Sequence, residues 1–540
     1  MRRTLQGLVV AFFLALTVLP LVLTGGAELS EAEKRRLAPF PTLSDGLAVF
    51  PKGFEAWFND HFGLRAPLVA AYNRVKVLAL GVSTRPGVAI GDDGWLYYGG
   101  NAMTAYRGGI TLPDAHLEQW RAYLEGMRDW LAERGVRYLF VVTPAKQEVY
   151  PEHLPARFAP VGPSVREQFM AALAARSDVP VVDLTPALLA AKGDGDLFMR
   201  TDSHWNGRGA YVGYAAVMER LSGWFPELAP LPLERFAVAR EPAAGGDLAQ
   251  LFNLNAAYAD TRVTVTPADP SCARPEHFQI PLEADWATRR APFRTRCGGA
   301  PPLRLVMLRD SFANDMIPLL AGHFQAAVYD SQANAQHPLE HSFPLLNWLA
   351  ADVRPAVVID QLAARKLTMP APFVPELRMA TLRRRYREAP LGRRWLSPGG
   401  ADAPIRISGP VTLAPHGALR VGGPGAALLL PGLDLPADAW PVLRVALAAP
   451  AETVLSVAWR RPGGAGFEPA VQARLAAGPN DVFLPLPVRG PVAELRLSPG
   501  TAPGDYALRL IEGRGVAENF AALPGAGGGP VPAVGQDTID

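Results

Sequence analysis

Residues 303–312 read Leu-Arg-Leu-Val-Met-Leu-Arg-Asp-Ser-Phe, and this run decides the fold. Leu303–Leu308 is apolar apart from Arg304, the pattern of a strand covered on both faces. Arg309, Asp310 and Ser311 then hand over to Phe312–Gly322, which reads mainly as helix. The same alternation recurs on both sides. Val136–Thr143 (VRYLFVVT), Val179–Leu184, Ala326–Asp330 and Ala356–Asp360 read as buried strands. Residues 114–131, Val165–Arg176, Gly207–Trp224 and Phe343–Ala351 read as helices, the first capped by Asp114 and stopped by Gly135. Buried strands alternating with amphipathic helices predict an α/β fold, a parallel sheet flanked by helices.

The flanks are less regular. Phe54–Leu80 carries Phe54, Trp57, Phe58, Phe62, Val69, Tyr72 and Val75 at helical spacing and reads as one helix. Residues 86–110 contain Gly91-Asp92-Asp93-Gly94 and read as a hairpin region. Residues 231–300 break the rhythm and read as an insertion. After about residue 395 helical periodicity stops. Eight short runs rich in Val and Leu follow between Gly and Pro, from Ala418–Val421 to Tyr506–Ile511. They predict a β-sandwich of jelly-roll type over residues 396–516. Residues 517–540 hold a Gly-rich run and few large apolar groups, and read as a disordered tail. The expected division is therefore 1–26, 27–390, 396–516 and 517–540.

The chain has 540 residues, a net charge of +2, 49% hydrophobic and 19% charged residues. At about 100–200 residues per domain, two to four domains fit. Near-zero charge gives no reason to expect nucleic acid as a partner. The 53 Pro and 51 Gly collect in the lead, the insertion, the β-rich turns and the tail, so they mark connections and not a fibre.

Arg2 and Arg3 precede Leu8–Leu23, which has no charge. A basic start before an apolar core is an export signal, and it predicts that the rest of the chain crosses the membrane. Residues 1–26 fit a signal anchor or a signal peptide; Gly25-Gly26-Ala27 offers small residues for cleavage, and the reading favours an uncleaved anchor. Cys272 and Cys297 fit an oxidising compartment, where they pair; two free thiols are the alternative. Two cysteines with no CxxC or HxxxH give too few ligands for zinc. No Walker pattern occurs either, so no metal or cofactor is expected.

Ser311 sits where a strand of an open sheet ends, the place where such sheets bind ligands. A lone serine is a weak nucleophile and needs a base. Thr201-Asp202-Ser203-His204-Trp205-Asn206 supplies one, with Asp202 placed to orient the His204 ring. The plainer reading makes Asp202 a loop or capping carboxylate and Ser311 a helix cap. Lys146 and Tyr150, just after the Val136–Thr143 strand, and Gln361, after a later strand, are weaker candidates for substrate or oxyanion contacts, as is Arg309. In the β-rich region Trp440 and Trp459 are candidates for sugar stacking, against the simpler reading as core residues.

Asp202–Tyr211 (DSHWNGRGAY) and Val306–Phe312 (VMLRDSF) resemble the signature blocks of the AlgX/AlgJ-type alginate O-acetyltransferase family and the related DHHW family. Residues 33–41, 57–65, 94–98 and 142–146 resemble further family blocks in the same order, over about residues 30–370. The resemblance implies an SGNH-hydrolase-like fold with the Asp/His block before the serine block. It implies Ser311 as nucleophile, His204 as general base and acid, and Asp202 as orienting carboxylate. The implied reaction moves an acetyl group through a serine acyl-enzyme to a hydroxyl of an extracellular polysaccharide. A membrane-bound O-acyltransferase would be the acetyl donor, and the location periplasmic, at the inner membrane. Arg309 stands where many SGNH serine blocks have glycine, and Asp247 in Gly245-Gly246-Asp247 also resembles a family block. The rival functions are a carbohydrate esterase or deacetylase with the same triad, and a non-catalytic glycan-binding or assembly protein.

Overall fold

The computed structural model describes residues 35–277, 292–331, 339–414 and 417–521, with a scatter of positions between 6 and 30. Most of Leu8–Leu23 lies outside the described residues. Among the described residues no helix is long and apolar enough to cross a membrane. The chain divides into two compact units: residues 1–117 with 138–370, and residues 118–137 with 371–540. The boundary thus falls at 370, earlier than the 390–396 expected, and most of the helix Asp114–Ala132 groups with the second unit.

The first unit is built on a seven-stranded sheet. Its order is Val181–Asp183, Arg137–Thr143, Val357–Ala363, Arg304–Arg309, Ala326–Ser331, Phe293–Arg296 and Glu276–His277. Arg304–Arg309 pairs in parallel with both neighbours, and Arg137–Thr143 with Val181–Asp183. The last two strands run antiparallel, so the sheet is mixed where a parallel one was expected. Those strands come from residues 231–300, which are therefore part of the sheet and not simply an insertion. Their polar composition suits an edge, where one side needs no apolar cover.

The central strands are buried on both faces. Leu139, Val141, Leu305, Met307, Val357 and Ile359 share a core with Trp205, Tyr214, Val217 and Leu221 from the loop and helix around Gly207–Ser222. Each fully buried side chain of this size stabilises by about 1.5–3 kcal/mol. A long hairpin, Phe236–Ala244 with Ala259–Pro267, lies beside that helix. Cys272 and Cys297 form a disulfide that ties the segment after the hairpin to the end of the next-to-last strand Phe293–Arg296.

The N-terminal region differs from expectation in one way. The single helix over 54–80 is broken into Phe50–His61 and Arg65–Asn73, the latter continued to Ala79 by a wider turn. Gly63 lies between them, and Pro67 lies in the first turn of the second, where its missing N–H is harmless. The expected hairpin is present as Val88–Ile90 with Leu96–Tyr98. Its turn takes Asp93 and Gly94 to positive φ.

In the second unit the described residues form antiparallel sheets of seven and five strands. Inward residues of both share one core, including Leu428, Leu443, Leu455, Trp459, Leu495 and Ile511. Trp459 is buried and Trp440 packs, half-buried, beside a second small core, so neither is presented as an open stacking platform. Residues 518–521, expected to lie in a disordered tail, are packed. Phe520 is buried, and Glu518 pairs with Arg378 at 2.9 Å and Arg121 at 3.1 Å. Residues 522–540 lie outside the described residues.

Candidate active site

Ser311 begins a tight single-turn helix, Ser311–Asp315, directly beyond the strand Arg304–Arg309. The residue that caps this turn is Asp310, whose Oδ1 accepts from Phe312 N at 3.0 Å. The Ser311 hydroxyl is thereby left for other partners, and the side chain is exposed. Asp310 itself is buried and held on every side. Gln361 Nε2 donates to its Oδ1 at 3.0 Å, Ala363 N to its Oδ2 at 2.8 Å, and its own N–H reaches Gln361 Oε1 at 3.1 Å. Gln361 is fully buried and also donates to Thr143 Oγ1. Three neighbouring strand ends therefore fix the backbone on which Ser311 is carried.

The loop bearing Asp202 and His204 ends at Asn206, which caps the helix Gly207–Ser222 by accepting from Arg208 N and Gly209 N. Trp205 is buried, and its Nε1 donates to Phe312 O at 3.0 Å. One indole thus ties the histidine loop to the serine turn. Lys146 lies under the same loop. It is buried, and its Nζ donates to the carbonyls of Met199 (3.0 Å), Arg200 (2.9 Å) and Asp202 (2.6 Å). All three of its donors are spent on the backbone. Burial pushes its ammonium down to about 7, opposed by the carboxylates of Asp202, Asp247 and Asp260. Tyr150 is buried against Trp95, and its hydroxyl accepts from Leu197 N at 2.8 Å.

Three side chains from two distant segments meet at the surface of this scaffold. His204 Nε2 lies 2.8 Å from Ser311 Oγ, and His204 Nδ1 lies 2.8 Å from Asp202 Oδ1. Asp202 Oδ1 also accepts from His204 N, and its Oδ2 from Asp247 N, both at 2.9 Å. Burial works against the charge on Asp202. The His204 ring and the two backbone N–H groups overcome it and hold the carboxyl well below the usual range. Burial likewise opposes a charged His204, but the bond to Asp202 and the charges of Asp202 and Asp247 raise its pKa. A hydroxyl, an imidazole and a carboxylate are aligned in series, so the ring can exchange a proton with the hydroxyl while the carboxylate orients it.

The three residues open onto a cleft of about 410 Å³. Its walls include Met199, Asn314, Asp315 and one strand of the hairpin from Arg262 to Thr266. None of Lys146, Tyr150, Arg309 and Gln361 lines it. The first two brace the histidine loop, and Gln361 braces Asp310. Arg309 Nη1 bonds Asn314 Oδ1 beside the serine turn. The four were expected to contact substrate or oxyanion because they follow strand ends; position along the chain did not reveal which way their side chains turn.

Asp247 is the residue that sequence reasoning left without a role. Its Oδ1 accepts from Ser203 N at 2.7 Å, its Oδ2 from Ser203 Oγ at 2.6 Å, and Oδ2 lies 3.7 Å from His204 Nδ1. Asp202, His204 and Asp247 offer ligand-type atoms within 4.8 Å of one another. The same atoms bond each other and Ser203, so a cation bound there would compete with those bonds.

Part of this region is similar to known proteins. Residues 88–276 match the family described as SGNH hydrolase-like domain, acetyltransferase AlgX. Over those residues the chain is similar to an SGNH hydrolase-like acetyltransferase domain. It is 33% identical over 252 residues to "Probable alginate O-acetylase AlgJ" of Pseudomonas aeruginosa, covering 45% of this chain and 57% of the relative. The protein of the same name from Pseudomonas syringae is 30% identical over 235 residues, 43% of this chain and 55% of the relative. The chain thus spans little more than half the length of these curated relatives. Among solved structures, the O-acetyltransferase domain of Pseudomonas putida AlgJ is similar over 55% of this chain and 100% of that domain, at 22% identity and a TM-score of 0.36.

Proposed function

We propose that this protein is an exported O-acetyltransferase that moves an acetyl group through an acyl-enzyme on Ser311 to hydroxyls of an extracellular polysaccharide. The observation that carries the reading is the continuous line from Asp202 through His204 to an exposed Ser311 Oγ at the mouth of an open cleft. The relatives, each named "Probable alginate O-acetylase AlgJ", support the acetyl-transfer chemistry and a polysaccharide acceptor.

His204 Nε2 takes the Ser311 proton as Oγ attacks the acetyl carbonyl carbon of the donor. The carbonyl reforms as the donor's leaving group departs with the proton from Nε2, leaving acetyl on Oγ. An acceptor sugar hydroxyl then gives its proton to Nε2 and attacks the acetyl carbon. Ser311 Oγ leaves and recovers the proton. Asp202 holds Nδ1 and stabilises the imidazolium in both halves.

The basic, apolar start of the chain supports export to the periplasm and a place at the inner membrane. Activated acetyl carriers are cytoplasmic, so a membrane-bound O-acyltransferase is the fitting donor. The two sheets of the second unit support a β-sandwich; any sugar contact it makes would not rest on Trp440 or Trp459.

The test gives the full chain an acetyl ester with and without oligosaccharide acceptors. Acetylated sugar that disappears in Ser311→Ala supports the proposal. Ser311-dependent release of acetate to water alone supports an esterase. Equal results for wild type and Ser311→Ala contradict both and leave a glycan-binding or assembly protein.

A further inference from the structure

We propose that Asp247 is a positioning residue of this site: its carboxylate holds Ser203 and its backbone holds Asp202, so that His204 stays aligned on Ser311 and its imidazolium is stabilised by a second negative charge. The inference rests on the acyl-transfer reading above and extends it to a residue 44 positions from Ser203.

Asp247 touches each neighbour that sets the histidine. Its N–H donates to Asp202 Oδ2, the oxygen that does not face the ring. Both its carboxylate oxygens are taken by Ser203, one from the backbone and one from the hydroxyl. Ser203 Oγ in turn lies 3.2 Å from His204 Nδ1. With its proton given to Asp247, that hydroxyl can only accept from Nδ1, so it favours the tautomer with the proton on Nδ1. This is the tautomer that leaves Nε2 free to take the Ser311 proton.

The backbone around Asp247 is shaped for this approach. A Cβ on Gly246 would lie 2.5 Å from Asp202 Cβ and from Asp202 Oδ2. Only glycine lets the turn come so near. Gly246 N donates to Thr201 Oγ1 at 2.8 Å, and Thr201 N is held by Asp260 at 2.8 Å. Two segments are thus locked over Asp202, and Asp247 opens the short helix Asp247–Leu251 directly behind the ring. Other charged groups around His204 are Asp202 on its own loop, Asp315 on the serine turn and Arg365 on the turn Ala364–Thr368. Lys146 lies beneath both carboxylates, and Arg262 faces Asp315. The variants below leave all of these unchanged.

The experiment uses the full chain with Asp247→Asn, Asp247→Ala and Ser203→Ala. His204 is titrated by NMR of ring-labelled histidine, its signal assigned by loss in His204→Gln. Turnover of an aryl acetate is followed against pH in parallel. Asp247→Asn keeps the shape and an acceptor for Ser203 N but removes the charge. It should lower the His204 midpoint by about one pH unit. Asp247→Ala should lower kcat by about 100-fold with KM within about twofold, because it frees the ring's alignment. Ser203→Ala should lower kcat with a smaller midpoint shift. A His204 midpoint in Asp247→Asn equal to that of wild type overturns the inference, whatever happens to melting temperature, because a merely structural role would leave it in place. The midpoint is read without turnover. A shifted midpoint in a protein lacking Ser311-dependent turnover therefore supports the Asp247–His204 coupling and sinks the acyl-transfer reading instead.

Discussion

His204 Nε2 and Ser311 Oγ are 2.8 Å apart although 107 residues separate them in the chain. The contact exists because two unrelated local devices agree. Asp310 takes the capping bond that would otherwise occupy the serine, and Trp205 fastens the histidine loop to Phe312 O. Ser311→Ala and His204→Gln should each lower kcat by at least about 1,000-fold, and the double variant little further, because residues acting as a unit are not additive. Steady-state rates on an acetyl ester measure this. Ser311 is exposed, so its replacement should move stability by no more than about 0.5 kcal/mol.

The pH dependence has a definite sign. His204 must be neutral to accept the Ser311 proton, and its pKa lies above its ordinary value. Activity should therefore fall with falling pH through a midpoint above about 6.5. Asp202→Asn removes the partner that raises it, so the limb should move to lower pH while kcat falls by about 10,000-fold through loss of the correct tautomer. Stability follows the opposite limbs. The His204 contribution is fully present below about 6.5 and is lost as pH rises through the raised folded value. That of Asp202 is present above about 3.9 and is lost as pH falls through its depressed folded value. Denaturant midpoints of wild type and the single variants across pH measure both.

Lys146→Met should damage the site without touching substrate. It leaves the carbonyls of Met199, Arg200 and Asp202 buried without their donor. A loss of about 3 kcal/mol or more is expected, with kcat falling as the histidine loop loosens. Urea unfolding and a kinetic assay on the same preparation check the pair of effects. Unchanged stability would contradict the bracing role.

Gln361→Ala should reach the serine turn through Asp310. The substitution strands Asp310 N–H and Thr143 Oγ1 in a buried place, at about 1–3 kcal/mol. It should also lower kcat more than it changes KM, since the serine turn loses its anchor. A KM change with kcat intact would instead mark Gln361 as a substrate contact.

The Cys272–Cys297 bridge closes a loop 25 residues apart in sequence. Removing it by Cys272→Ser with Cys297→Ser should lower stability by about 3 kcal/mol. Thermal melts of the variant and of wild type, with and without reductant, measure this.

The strands were legible because each is apolar throughout. Leu305–Leu308 is buried along its whole length. The meeting of Asp202, His204 and Ser311 could be anticipated because a serine after a strand and an Asp-x-His loop each supply what the other lacks, although either segment alone reads as a cap. Lys146 and Tyr150 misled. They also follow a strand, but their side chains turn beneath the loop, and chain position carries no direction. Asp247 was hidden by distance and by an irregular segment. The available signal was the pair Gly245-Gly246 before an acid, which marks a backbone that must pass close to something; the close neighbour is Asp202. The mixed edge of the sheet was missed because short polar strands such as Phe293–Arg296 show no burial pattern.

The central claim is that acetyl passes through Ser311. The most direct measurement incubates the full chain with an acetyl ester, quenches in acid, and maps the acetylated peptide by mass spectrometry before and after adding oligosaccharide. The account predicts one acetyl group on Ser311 that is discharged onto the sugar, and no such adduct in Ser311→Ala. Sugar acetylation that proceeds at the wild-type rate in Ser311→Ala, with no adduct on Ser311 in the wild type, would contradict it.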